Sequence, residues 1–129
     1  MAHPIVITPR LQAATERIRP IALGLAGATE RISHGSPTFF TAEGRKGKTF
    51  ASVHDERDWG EGRLCLWAAS ETELRTALID EKPERFFVPP YVGHRGWLGM
   101  RLDIEPIDWD EVAGVIEDAY ILVSGPLPA

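Results

Sequence analysis

The sequence has one cysteine, no long apolar run and fewer basic than acidic residues among its 129 positions. A single thiol, Cys65, permits no internal disulfide, which excludes the class of small secreted domains held together by disulfides. No stretch approaches the roughly 20 apolar residues that a membrane helix needs. The opening MAHPIVITPR also lacks the cationic leader and apolar core of a signal peptide. These absences predict a reduced, cytoplasmic protein with no membrane partner.

The charge balance is acidic, with 14 Lys and Arg against 19 Asp and Glu and a formal net charge of −5. A general nucleic-acid binder usually has the opposite balance. The charges are unevenly placed, however. Residues 85–101 hold three arginines, one histidine and no carboxylate, whereas residues 102–118 hold seven carboxylates and no Lys or Arg. Local basic patches can therefore exist on an acidic protein.

Length and composition indicate one domain over residues 1–129. A chain of this size can bury about two thirds of its unfolded surface in a single core. The hydrophobic share of 43% and the charged share of 26% are ordinary for globular proteins and exclude the disordered and fibrous classes.

Three segments are predicted as helices. Thr8 before Pro9 is typical of a helix start, because a hydroxyl caps free amides and proline suits the first turn. Pro20 predicts that this helix kinks or stops near Arg19, since proline cannot donate the helical hydrogen bond. Capping-box patterns begin the other two helices: Ser70 with Glu73, and Asp108 with Glu111.

Short β-prone runs lie between these helices. Residues 38–41 and 49–53 flank two glycines and predict a hairpin. Residues 63–69 alternate in polarity and predict a strand whose face with Cys65 and Trp67 is partly open to solvent. Three further runs are predicted as extended: residues 28–33, 86–88 and 97–102.

Motifs for cofactors and catalysis are weak. Gly47, Lys48 and Thr49 match the end of a phosphate-binding P-loop, but a β-prone segment follows them where the motif requires a helix, which favours a charged hairpin tip. The four histidines have no zinc-ligand spacing, so we expect no metal and no cofactor. Cys65 could act as a nucleophile only if folding brings a histidine beside it; otherwise it is a small buried residue. With no catalytic constellation, we expect a protein that is not an enzyme.

Two predicted loops combine cations with aromatic neighbours. Arg45, Lys46 and Lys48 occupy the hairpin tip, and His94 and Arg95 occupy a later turn. Two basic loops that project from a sheet can straddle phosphates, with an affinity that falls steeply in salt. The plainer interpretation is a set of solubilising turn residues.

A second functional interpretation uses a groove near Tyr91 and Trp97. The groove would bind either a small anionic ligand or a protein. Arg95 or Arg101 would recognise a carboxylate or phosphate group on that ligand. The sequence leaves the oligomeric state and any nucleotide preference open.

Four segments resemble the MmcQ/YjbR family: HGSPTFFTAEGRKGKTFASV, RLCLWA, PPYVGHRGWLGMRLD and DWDEVAGVIEDAYILV. The neighbourhood of Tyr91, Gly96 and Trp97 and the last helix with Tyr120 are the most telling parts. The resemblance implies an α+β fold similar to CyaY and frataxin, an antiparallel sheet with the N- and C-terminal helices packed on one face. It also implies DNA binding through a double-wing arrangement, in which the hairpin tip and the loop with His94 would be the wings.

Overall fold

The computed structural model describes residues 7–56 and 62–125. Most of the N-terminal stretch that bears on a signal peptide lies outside these ranges. The helices within them are α1 (Pro9–Leu23), α2 (Thr72–Glu81) and α3 (Trp109–Ser124). The strands are β1 (Thr29–Ser33), β2 (Ser36–Phe40), β3 (Thr49–Asp55), β4 (Leu64–Ala68), β5 (Phe86–Phe87) and β6 (Leu98–Arg101).

The strands form one antiparallel sheet in the order β1-β2-β3-β4-β6-β5. The predicted hairpin is the β2–β3 pair, and the run predicted over residues 28–33 is the edge strand β1. Helices α1 and α3 both pack against β3 and against each other. The α+β prediction, with helices from both ends of the chain on one sheet, is therefore confirmed.

The core lies between the sheet and these two helices. The helices contribute Leu11, Ile18 and Ile116, and the sheet contributes Val53 and Leu66, all of them buried. The 3.6-residue spacing on the helices and the two-residue spacing on the strands bring these side chains to one interface. This packing positions the loops at the two ends of the sheet.

Helix α1 continues through Pro20 to Leu23, so the alternative that it stops near Arg19 is wrong. Proline removes a single backbone hydrogen bond, while Ile18 before it and Ala22 after it are both fully buried. The burial of the same helix face on both sides of the proline outweighs the missing bond.

The two predicted capping boxes behave differently. Asp108 caps α3 as predicted and accepts hydrogen bonds from the amides of Asp110 at 3.0 Å and Glu111 at 3.3 Å. Ser70 does not cap α2: the cap residue is Glu71, and the Ser70 hydroxyl donates to the Glu71 carbonyl at 3.3 Å. The second helix thus starts one residue later than the pattern predicts.

The expectation that the face of β4 with Cys65 and Trp67 stays partly open is also wrong. Cys65 is fully buried and Trp67 is 6% exposed. The imidazole of His54, on the neighbouring strand β3, stacks on the Trp67 indole with ring centroids 3.6 Å apart. The alternation of β4 was recognised correctly, but both of its faces are covered.

Candidate functional site

The two predicted basic loops lie at the same end of the sheet. Ala68, at the end of β4, pairs with Ala51 near the start of β3 and with Leu98 at the start of β6. The first basic loop (residues 43–48) leads into β3, and the second basic loop (residues 93–97) leads into β6. Only β4 lies between those strands, so the loops leave the sheet two strand spacings apart, about 10 Å.

The backbone of the first basic loop is closed by hydrogen bonds at its base. The Thr41 amide donates to the Lys48 carbonyl at 2.9 Å, and the Lys48 amide donates to the Thr41 hydroxyl at 3.1 Å. One turn of 3-10 helix, Gly44–Lys46, forms the tip. The side chains of Arg45, Lys46 and Lys48 are all exposed. A defined turn therefore presents three cations to solvent.

Gly47 is the tightest point of this loop, because a Cβ atom there would lie 2.0 Å from the Ala42 carbonyl oxygen. We expect Gly47→Ala to force the backbone apart and to lower the free energy of unfolding by about 1–3 kcal/mol, the usual cost of overpacking. Urea unfolding followed by circular dichroism measures this change.

The matched control for Gly47→Ala is Gly44→Asn in the same loop. Gly44 has a φ of +67° and open space around its missing side chain, and asparagine tolerates that backbone conformation. We expect its unfolding midpoint to stay close to that of the parent. Equal stability of Gly47→Ala and the parent would contradict the loop geometry described above.

The cations of the first basic loop differ from the other described basic side chains in having no internal partner. Within residues 7–56 and 62–125, the side chains of Arg45, Lys46 and Lys48 form no hydrogen bond, salt bridge or ring contact. The remaining described cations are bound internally: to carboxylates (Arg10, Arg19, Arg63, Lys82), to backbone carbonyls (Arg75, Arg85, Arg101) or over aromatic rings (Arg17, Arg31, Arg95). The three cations of the first basic loop are thus available to an external anion without giving up a contact inside the described residues.

Hydrogen bonds from α2 fix the second basic loop at both of its ends. The Arg75 guanidinium donates to the carbonyls of Gly93 at 2.7 Å and Trp97 at 2.9 Å, the two ends of the loop. His94 and Arg95 are exposed between these anchors. The Arg95 guanidinium lies 5.4 Å from the centroid of the Trp97 ring. Nothing in the local sequence around Arg75 distinguishes it from a surface arginine, so its role was not predicted.

The residues predicted to line a groove do not come together. Tyr91 is 78% exposed, whereas Trp97 is only 4% exposed and supports Arg95 from below. Arg101 lies at the opposite end of β6, with its guanidinium 4.6 Å from the centroid of the Phe87 ring. Tyr91 therefore belongs to the end of the sheet with the basic loops, and Arg101 does not.

A polar cluster in the sheet is centred on His54 and was not predicted, because Ser36 joins it only through the pairing of β2 with β3. The two ring nitrogens of His54 are 3.0 Å from the Ser36 hydroxyl and 2.7 Å from the Ser52 hydroxyl. Burial lowers the pKa of His54 to about 3, because the charged imidazolium loses its hydration, and the nearby His34 lowers it further. The ring is therefore neutral at physiological pH.

Folding pairs His54 with Cys65 in the β3–β4 register, but both ring nitrogens of His54 lie against serine hydroxyls and the Cys65 sulfur lies against Glu56. Burial raises the pKa of the Cys65 thiol, and the carboxylate of Glu56, 3.8 Å from the sulfur, raises it further. A buried thiol in this environment remains protonated. Cys65 is thus a packing residue of the core.

Among the described residues, no three His, Cys, Asp or Glu side chains are grouped so that they could hold a metal ion. No helix within the same ranges is long and apolar enough to cross a bilayer.

Comparison with known proteins gives one family and one solved structure. The family model described as YjbR matches residues 23–122, most of the chain. The crystal structure of Deinococcus radiodurans protein DR2400, with family-model domain DUF419, superimposes with a TM-score of 0.71 and 15% sequence identity, and the match covers 85% of this chain and 78% of that chain. At this identity the likeness concerns the fold alone. No curated protein matches the sequence.

Proposed function

The chain belongs to the YjbR family, and we propose that it is a non-enzymatic, cytoplasmic DNA-binding or regulatory module that contacts phosphates through its two basic loops. The observation that carries this proposal is the set of unpartnered cations Arg45, Lys46 and Lys48 on the first basic loop. Phosphate contacts supply most of the sequence-independent affinity of a protein for DNA, and they require accessible Lys or Arg side chains.

The net charge of −5 does not describe this end of the molecule. The first basic loop carries three cations against one carboxylate, Glu43. Elsewhere four carboxylates of the described residues form salt bridges with cations, among them the Arg10–Asp55 and Arg63–Asp103 pairs. Charge that is paired internally contributes little to the field outside the protein. The local excess at the loop therefore supports anion binding on an acidic protein.

The second basic loop adds His94 and Arg95 at a distance suited to a duplex. The two loops leave the sheet about 10 Å apart, which is close to the roughly 12 Å width of the DNA major groove. Contacts to phosphates on both sides of one groove are therefore possible without bending the sheet. Because few cations take part, we expect the affinity of non-specific binding, with a dissociation constant of about 10⁻⁴–10⁻⁶ M.

The proposal is tested by fluorescence anisotropy with labelled single- and double-stranded DNA at about 50 and 200 mM NaCl, where phosphate-dominated binding weakens steeply. We compare the parent with Lys46→Gln/Lys48→Gln. Loss of two phosphate contacts should reduce the slope of log K against log[salt] by about 1.8 units for duplex DNA.

The matched control is Arg17→Gln/Arg19→Gln, which removes the same charge from α1. Arg17 lies over the Trp109 ring and Arg19 pairs with Glu30. We expect the control to keep the slope of the parent. An unchanged slope in the loop variant would exclude the first basic loop as a phosphate contact. Failure of the parent to bind either DNA at the lower salt would overturn the proposal and favour a small anionic ligand or a protein near Tyr91.

A further inference from the structure

A second surface, separate from the basic loops, is the α2–α3 groove, a cleft of about 490 Å³ between those helices. Its apolar lining comes from both helices and from the sheet beneath: Leu74, Leu78, Leu98, Val115, Ile121 and Leu122. Three of these side chains, Leu74, Ile121 and Leu122, are more than 40% exposed. Helix α2 has no fully buried residue. Leu74 and Leu78 are the apolar side chains of α2 that line the groove, and Leu78 also packs against the core.

Gly114 leaves open space in the wall of the groove. This glycine lies in the interior of α3 and lines the groove, and a Cβ atom added to it would meet nothing within 4 Å. Glycine is among the least favourable residues in a helix interior. No close packing inside the molecule requires it here. The space that it leaves suits the apolar side chain of a bound partner.

The rim of the groove is acidic. Its charged lining residues are Glu71, Glu111 and Asp118, with no Lys or Arg among the lining side chains. At one end of the groove, the Nζ atom of Lys82 forms a salt bridge with the Oε2 atom of Glu111 at 2.7 Å. Neither Glu71 nor Asp118 forms a salt bridge with another described residue. An apolar floor with carboxylates beside it is complementary to an amphipathic segment that carries Lys or Arg.

The length of the groove fits a short helix. Helix α2 has 10 residues and is therefore about 15 Å long, which equals roughly three helical turns. The Lys82–Glu111 contact places the C-terminal end of α2 beside the N-terminal end of α3, so the two helices form the two walls. Grooves of this form bind amphipathic helices through apolar side chains at i, i+3 or i+4, and i+7.

We propose that the α2–α3 groove binds a short amphipathic helix of a partner protein, with apolar side chains over Gly114 and with Lys or Arg beside Glu71 and Asp118. This binding site lies outside the basic loops and goes beyond the proposed DNA contact. The variant Lys46→Gln/Lys48→Gln should therefore bind such a helix as the parent does.

The probe is a displayed library of helical peptides of roughly four turns, with leucine fixed at i, i+4 and i+7 and the other positions random. The library is selected in parallel on the parent and on Gly114→Trp, whose indole would occupy the groove. We expect the parent to enrich peptides with Lys or Arg at flanking positions. A selected peptide, once synthesised and labelled, should bind Gly114→Trp at least about tenfold more weakly than the parent, the usual loss of a buried anchor.

Two further variants separate binding from folding. Gly114→Ala should bind the peptide as the parent does, because one methyl group leaves most of the space over α3 free. Asp118→Lys changes an exposed rim residue and should weaken binding of the basic peptide without lowering the thermal midpoint. Equal selection on the parent and Gly114→Trp, or enrichment of acidic flanks, would overturn the proposal. The proposal would also be overturned if the parent self-associated in analytical ultracentrifugation and Gly114→Trp did not. The occupant of the groove would then be a second copy of the chain.

Discussion

Replacing Phe50 by alanine should lower the free energy of unfolding by about 3–5 kcal/mol, the range for truncating a fully buried aromatic residue. Phe50 has no exposed surface. Its ring meets Tyr120 of α3 edge to face at a centroid distance of 5.4 Å and lies 6.5 Å from the ring of Phe39. Truncation would leave a cavity where the hairpin meets the C-terminal helix. Urea unfolding at neutral pH measures the loss.

A conservative and a surface variant make this measurement specific. Phe50→Leu keeps most of the buried volume. We therefore expect its loss in free energy of unfolding to be less than half of the loss caused by Phe50→Ala. Val88→Ala truncates a side chain that is 54% exposed and should change stability by less than about 0.5 kcal/mol. If Phe50→Ala lost no more than Val88→Ala, the contact between β3 and α3 described above would be wrong. Because Phe50 lies two residues after Lys48, the same contact anchors the first basic loop.

Acidification from pH 7 to pH 5 should remove about 2 kcal/mol of stability through His54. The pKa of His54 in the folded protein is about 3, below its ordinary value of 6.5. The unfolded chain therefore takes up the proton first as the pH falls. The contribution of His54 is fully present above pH 6.5 and is lost progressively as the pH falls toward 3.

The comparison that checks this is urea unfolding of the parent, His54→Gln and His34→Asn at pH 7, 6 and 5. His54→Gln removes the titrating ring, so its stability should fall less with acidification than that of the parent. His34 is exposed, and asparagine accepts its φ of +51°, so His34→Asn should retain most of the parent's pH dependence. Identical pH dependence in the parent and His54→Gln would show that His54 is not buried in its neutral form.

The elements that local chemistry specifies were predicted well. The hydroxyl of Thr8 and the carboxylate of Asp108 cap their helices because each needs only the amides of the next turn. The glycines between two β-prone runs were enough to predict the β2–β3 hairpin, since a tight turn and two-residue alternation are local properties. The same reasoning failed at Pro20, where burial on either side of the proline keeps the helix intact.

The features that give the molecule a candidate function depend on contacts between distant residues. The sequence shows 14 basic side chains but not which of them pair internally, because a pair such as Arg63 with Asp103 is separated by 40 positions. Folding engages the other described cations and leaves those of the first basic loop available. It also brings that loop to the same end of the sheet as the second, through strand pairings that local periodicity does not encode.

Composition, caps and periodicity therefore establish the fold class, the hairpin and the positions of the basic loops, since each depends on neighbouring residues. The tertiary packing alone determines that His54 stacks on Trp67 and that open space remains beside Gly114. The exposure of a side chain depends on which distant residues pack against it. The sequence contains those residues but does not show how they are arranged in space.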